Sequence, residues 1–235
     1  MPLRTLLADE TVDTIWAELV YTEARLGEDL DAQDLAPIFE KLVARAMEVR
    51  IAQLEAWRRE LLAQAAVDSA DDFLDDVVEA IARAILVLVK QDRKDARFLR
   101  YFSEPPSVII RMGLQAETER VRGWVPSLRS EPAKELQAEG ERLEVAVAKG
   151  DAALEKRVRA ASLRADQRVR GILGFVDDVN AARLSAYGVL AQRAAERGLG
   201  RSWPDRFFKH LERSPKAAKT VPKPPTPAPA ATPIS

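Results

Sequence analysis

Residues 69–89 read SADDFLDDVVEAIARAILVLV, and this stretch carries the strongest evidence for the fold class. Ser69 and Asp72 have the spacing of a helix N-cap and its third-position acid, so the sequence predicts that a helix begins here. From Phe73 onward the helix is apolar on nearly every side, and such a helix is packed by neighbours on several faces. The segment 77–89 is therefore predicted to be the middle of the core.

The rest of the chain has the same helical period. Apolar residues recur every three or four positions, whereas period-2 alternation and Asn-Gly or Asp-Gly hairpin signals are missing from the sequence. This pattern predicts an all-α fold. Its expected parts are a helical bundle over residues 3–128, a long helix or helical hairpin plus a short terminal helix over 131–213 that packs on the bundle, and a tail over 214–235.

Two glycines decide how the long element is interpreted. Gly150, followed by Asp151, has the pattern of one helix ending and another beginning, which predicts a helical hairpin. Alternatively, Gly140 and Gly150 let another helix approach one unbroken rod closely. An unbroken helix over 131–197 would be about 100 Å long, which is unusual in a compact domain, so the sequence favours a break at Gly150.

Composition excludes several classes of site. The 235 residues include 36 Lys and Arg, 37 Asp and Glu, one histidine (His210) and no cysteine, so disulfides, cysteine nucleophiles and paired histidine ligands are ruled out. A net charge of −1 gives no overall attraction to nucleic acid or anionic membranes. The most apolar stretch, 80–89, is too short to span a bilayer, so a soluble protein is expected, and the absence of cysteine fits a cytoplasmic location. The tail over 214–235 holds half of the 14 prolines and is predicted to be disordered.

The residues Asp71, Asp72 and Asp75 form a DDxxD motif. Over these five residues the chain resembles the first aspartate-rich motif of all-helical isoprenoid synthases. The resemblance implies that the three carboxylates bind Mg²⁺, which in turn holds a diphosphate substrate. A structural alternative is favoured: acids in the first turns after an N-cap complement the helix dipole.

A basic run includes Arg157, Arg164 and Arg168, whose spacing places them on one helix face. Such a row binds anions, either a phosphate backbone or an acidic protein. The basic run contains no aromatic residue for base stacking, so nucleic acid is the less favoured partner. A solvated helix face is the favoured interpretation of the charges themselves.

Together these features favour a non-enzymatic protein-interaction module, that is, an adaptor, scaffold or assembly subunit. Its long helical faces would bind a protein partner or a second copy of the chain. No catalytic residue and no cofactor is expected. Two alternatives remain: a Mg²⁺-dependent enzyme acting on a diphosphate-like substrate through Asp71, Asp72 and Asp75, and a binder of nucleic acid or another anionic surface through Arg157, Arg164 and Arg168.

Overall fold

The computed structural model describes residues 3–7 and 9–209, and these form helices joined by turns, with no strand among them. The predicted all-α fold is confirmed. Within the described residues no helix is both long enough and apolar enough to cross a membrane. His210 and the predicted tail over 214–235 lie outside the described residues. The helices are α1 (Val12–Gly27), α2 (Ala36–Leu88), α3 (Ala96–Tyr101), α4 (Pro106–Ile109), α5 (Leu114–Val121), α6 (Trp124–Arg129), α7 (Lys134–Asp166) and α8 (Gly174–Glu196), with 3₁₀ turns at Gln33–Leu35 and Pro204–Phe207.

The predicted break at Gly150 is wrong. Helix α7, a π-helical segment (Gln167–Leu173) and α8 follow one another as one helix of 63 residues, about 95 Å long. The glycines have the other role that the sequence allowed. A Cβ atom on Gly150 would lie 2.9 Å from Thr118 Oγ1 in α5, and one on Gly140 would lie 2.9 Å from Leu128 Cβ in α6. Both glycines therefore admit neighbouring helices without ending their own.

The predicted helix start at Ser69 is also wrong. Helix α2 is 53 residues long, and Ser69 lies in its interior. Lys149 Nζ instead donates to the Ser69 hydroxyl and carbonyl oxygens. An N-cap stabilises only the first turn of a helix, whereas tertiary packing stabilises the helix along its whole length. In α2 this packing follows one continuous row of buried residues, which we call the seam. That seam is visible as buried positions that recur at steps of three, four or seven residues, as in a coiled coil: Phe39, Leu42, Ala46, Val49, Ala56, Ala63, Val67, Ala70, Leu74, Val77 and Ile81.

The two long helices are antiparallel. Arg45 of α2 pairs with Asp178, Glu60 pairs with Arg164, and Ser69 is contacted by Lys149, so positions that rise along one helix fall along the other. Each end of this pair carries its own apolar core. At the α1 end, the core unites the N-terminal segment, α1, residues up to Val49 of α2, α8 and residues 203–208. At the α5 end, it unites α2 from Val67 onward with α3 to α6 and α7 up to Ala153. Both cores thus contain residues from both predicted parts, 3–128 and 131–213.

Between the cores lies a segment that we call the waist. It consists of residues 50–66 of α2 and residues 155–171 of the other long helix, in α7 and the π-helical segment. Its buried apolar residues are small: Ala56, Ala63 and Ala160. None of these belongs to either core. Small seam residues let the two helices approach closely, but they bury little apolar area. The waist is therefore a two-helix connection between two better-packed ends.

The prediction for residues 77–89 is confirmed only in its first half. Val77, Val78, Ile81 and Ile85 are fully buried at the α5 end. Val87 is 70% exposed and Leu88 is 40% exposed, because α2 ends at Leu88 and the chain leaves the core there. This segment belongs to one of two cores and is not the centre of a single one.

Candidate functional site: a groove along the waist

Two pockets open on one side of the waist, one at each of its ends. The first, about 580 Å³, lies where Leu54 and Trp57 meet residues 9–13 at the start of α1. The second, about 460 Å³, lies where Gln64 and Asp68 meet the start of α5. Residues 54, 57, 61, 64 and 68 follow one another by three or four positions, so they occupy one face of α2. We call the surface that joins the two pockets the waist groove.

The groove has a floor and two end walls. Its floor is the waist itself, and its walls are residues 9–13 at one end and residues 112–119 at the other. Arg50 forms an ion pair with Asp13 at the first wall, with Nε 3.0 Å from Oδ1. From Arg50 to Asp68 the floor spans about 18 residues of α2, or about 27 Å.

Large apolar side chains lie on the α2 half of the floor. Trp57 is 51% exposed, Leu54 is 44% exposed and Leu61 is 53% exposed. At the waist, alanines are thus buried between the two long helices, whereas the large apolar residues are exposed on the surface of α2. On the same face of α2 but beyond the second wall, Val78 is fully buried in the α5-end core. The apolar face of α2 is therefore covered at the α5 end and left open at the waist.

The three arginines that the sequence places on one face lie along the other half of the groove. Arg157 lines the second pocket, and Arg164 and Arg168 line the first. Arg164 pairs with Glu60 across the seam. Arg157 and Arg168 are exposed and have no ion pair or hydrogen bond with any residue that the structure describes. The structure brings the row together, and its role in anion binding stays a prediction.

The π-helical segment Gln167–Leu173 adds a local irregularity to the floor, which the sequence analysis missed. Gln167, Arg168 and Ile172 line the first pocket, and Gln167 Nε2 donates to the Val49 carbonyl at 3.5 Å. A Cβ atom on Gly171 would lie 2.9 Å from that same amide. A π turn shifts the register of the side chains that follow it, and such turns recur at functional sites.

The aspartates of the DDxxD motif lie in the interior of α2, far from its first turn. Helix α2 begins at Ala36, so the favoured explanation by the helix dipole is wrong. Asp72 is exposed, whereas Asp71 and Asp75 are half-buried beside α5. There Glu117, which the sequence analysis did not identify, is fully buried, and both of its carboxyl oxygens lack a hydrogen-bond donor among the described groups.

Asp75 and Glu117 form a buried pair of carboxyl groups. Burial, with the hydrogen bond to Asp75 and its negative charge, raises the pKa of Glu117 to about 9. Burial also raises the pKa of Asp75 and of Asp71 from the ordinary value for aspartate. At neutral pH Glu117 therefore keeps its proton and donates it in a hydrogen bond to the Asp75 carboxylate.

This arrangement bears on the Mg²⁺ hypothesis. A protonated carboxyl is a poor metal ligand, and Asp72 does not share the buried side of Asp71 and Asp75. Among the described residues, no group of three or more Asp, Glu or His side chains is arranged to hold a metal ion. Binding of Mg²⁺ at Asp71, Asp72 and Asp75 thus stays a prediction without an assembled ligand set.

The α1 end contains a second set of buried polar groups, and these are paired. Glu18 accepts hydrogen bonds from Arg183 and, at 2.8 Å, from Arg4. The Asn180 side chain accepts a hydrogen bond from the Leu6 backbone N–H at 2.8 Å and donates one to the Leu6 carbonyl at 3.0 Å. These contacts close the core and leave the waist groove as the exposed candidate site.

Comparison with known proteins gives no relative from which a role can be transferred. The chain matches no protein-family model, and no curated protein or solved structure is similar enough to count as a match. A functional proposal for this chain therefore rests on the groove itself.

Proposed function

We propose that this chain is a non-enzymatic protein-interaction module, an adaptor or assembly subunit, whose waist groove binds a protein partner. The observation that carries the proposal is the half-exposed Trp57, which lies between two half-exposed leucines and faces a row of arginines. Tryptophan and arginine are the residues that most often dominate binding energy at protein interfaces.

The fold supports the proposal because it leaves this part of the paired helices uncovered. At one end of the pair, α1 and α8 cover α2, and at the other end α3 to α6 do so. The apolar stripe of the waist lies between these covers, and it does not contribute to either core. A bound protein segment would bury it and extend the covered surface from one end to the other.

The alternatives have less support. An enzyme that uses Asp71, Asp72 and Asp75 would need three ionised ligands on one side, whereas Asp72 is exposed and Asp75 faces a protonated Glu117. A cytoplasmic location agrees with a chain that has no cysteine, and it stays a prediction.

The proposal is tested by affinity capture from the source cells with three forms of the full-length protein. Trp57→Asp places a charge in the groove, and Leu62→Asp places one on an equally exposed residue that lines neither pocket. A stoichiometric protein partner is expected with the wild type and the Leu62 variant and is lost with the Trp57 variant. Equal recovery with all three forms, or no partner with any, rejects the groove as the binding site.

A further inference from the structure

We infer that the waist groove receives an acidic amphipathic α-helix of about five turns from its partner, lying lengthwise between the two walls. This inference depends on the proposed function and specifies the partner. Three properties of the groove carry it: its closed length, its apolar stripe and its row of arginines.

The closed length sets the size of the segment. Residues 9–13 stand at one end of the floor and residues 112–119 at the other, with about 27 Å of α2 between Arg50 and Asp68. At 1.5 Å per residue, a helix that fills this space has about 18 residues. A longer straight rod would meet a wall at each end.

The apolar stripe sets the class of structure. Leu54, Trp57 and Leu61 form a ridge with steps of three and four residues beside the seam. A ridge of this period fits the groove between side chains of another helix. The same face of α2 is already covered by α5 beyond the second wall, where Glu117 faces Asp75. A partner helix would thus continue a packing mode that the chain itself uses.

The arginines set the charge. Arg157 and Arg168 have no partner among the described residues, and Arg164 has only Glu60. Their spacing of seven and four positions spreads three cations over about 17 Å of the groove. Carboxylates on the flank of a partner helix, at spacings of four and seven, meet this row. Such charge complementarity selects the partner and its register.

Two other occupants fit the groove less well. A nucleic acid backbone carries its charge along its whole length and would run past both walls, where it meets Asp9, Glu10 and Asp13 at one end and Asp68 and Asp71 at the other; a helix that ends between the walls can confine its carboxylates to the positions opposite the arginines. A second copy of the chain, placed face to face and parallel, would set its own raised ends against these walls. Both occupants are outcomes of the test below.

The test is a selection from a display library of 18-residue helical peptides, with the full-length protein as target and the Trp57→Asp variant as counter-target. The enriched peptides are expected to carry an i, i+3, i+4, i+7 apolar stripe flanked by Asp or Glu. Trp57→Ala should weaken their binding by about 30-fold or more. Arg168→Glu should weaken it by about tenfold, whereas Arg170→Glu, an exposed charge that lines neither pocket, should leave it unchanged.

Each other outcome overturns a defined part of the inference. Peptides that need Trp57 but are basic, uncharged or non-helical reject the acidic helix and leave the proposed function standing. If the selection yields no peptide whose binding depends on Trp57, both the acidic-helix inference and the proposed function are rejected. A 20-base-pair DNA duplex that binds more tightly than the selected peptides and needs Arg157 and Arg168 assigns the row to nucleic acid. A dimer that sediments intact with the wild type and dissociates with Trp57→Asp assigns the groove to a second copy.

Discussion

Two buried glutamates, one at each end of the molecule, have neighbours of opposite charge, and the α5 end also buries Glu131, which pairs with Arg97 and Arg100. Glu18 at the α1 end is 2% exposed and accepts hydrogen bonds from Arg183 and Arg4. Glu117 at the α5 end is 0% exposed and faces Asp75, with Asp71 nearby. Cations lie beside the first glutamate, and a proton neutralises the second. Burial alone therefore does not decide the charge of a carboxyl group, because the neighbouring charges do.

Removal of the buried acid at the α1 end should have the largest effect on the free energy of unfolding. Glu18→Leu leaves the Arg183 guanidinium, itself 2% exposed, in the core without a counter-charge. Arginine cannot escape this cost by losing its proton. We expect the free energy of unfolding to fall by about 3–5 kcal/mol, as measured by urea denaturation at pH 7.

The double variant Glu18→Leu with Arg183→Met is the control for this effect, because it removes both charges. It should recover most of the lost stability, since an apolar pair of similar size replaces the ion pair without an unpaired charge. A single variant that loses less than about 1 kcal/mol would show that Arg183 reaches water or another acid, and the contrast between the ends would disappear.

The acid at the α5 end should behave in the opposite way. Glu117 has a folded-state pKa of about 9, above its ordinary value of 4.5, so between these pH values the unfolded chain holds fewer protons than the folded one. Stability conferred by the protonated carboxyl is fully present below pH 4.5 and is lost as the pH rises toward 9. Glu117→Gln removes this dependence and should stabilise the protein at pH 8 by on the order of 3 kcal/mol.

Urea denaturation of both forms at pH 5, 6, 7 and 8 measures the difference. The gain from Glu117→Gln should grow steadily with pH, because only the wild type must keep a proton in the core. Asp76→Asn is a matched control, an exposed acid of α2 next to Asp75 that should change stability by less than about 0.5 kcal/mol at every pH. A gain that is constant with pH contradicts the proton-sharing pair.

Local patterns in the sequence predicted the type of structure but not the extent of its elements. The helical period predicted the all-α class. Continuity of α2 through Ser69 and of α7 through Gly150 was not predicted, because caps and glycines were judged by local preference. The signal that α2 continues was the pattern of three-and-four steps that runs on both sides of Ser69, from Ala63 to Ile81.

The candidate site was predicted in part. Helical spacing alone placed Arg157, Arg164 and Arg168 on one face, which they share in the groove. The exposure of Trp57 could not be predicted, since an apolar residue at helical spacing normally is buried. Its exposure follows from the absence of both cores at the waist, which depends on contacts between distant segments. The pairing of Asp75 with Glu117, 42 positions apart, likewise requires the fold.

The two ends also differ in how they use glycine, and a smaller effect follows. Gly140→Ala at the α5 end places a Cβ atom 2.9 Å from Leu128 Cβ and 3.1 Å from the Arg129 backbone nitrogen. We expect a loss of about 1–3 kcal/mol by chemical denaturation, because backbone atoms cannot move aside cheaply. Gly188→Ala, in α8 with no neighbour within 4 Å, is the control and should gain about 0.5–1 kcal/mol from helix propensity. If both variants gained stability, α6 would not need the close approach.

The smallest expected effect on stability belongs to the waist, which distinguishes it from both ends. Trp57→Gln removes a side chain that is 51% exposed and belongs to neither core, so the free energy of unfolding should change by about 0.5 kcal/mol or less. Trp124→Gln is the matched substitution at the α5 end, where the ring is 8% exposed and packs edge-on against Phe102 at 5.0 Å, and it should cost about 3–5 kcal/mol. A loss above about 2 kcal/mol for Trp57→Gln would make its stripe part of the folded structure and remove the observation on which the binding groove rests. With stability unchanged, loss of partner binding in the same variant is attributable to the groove alone.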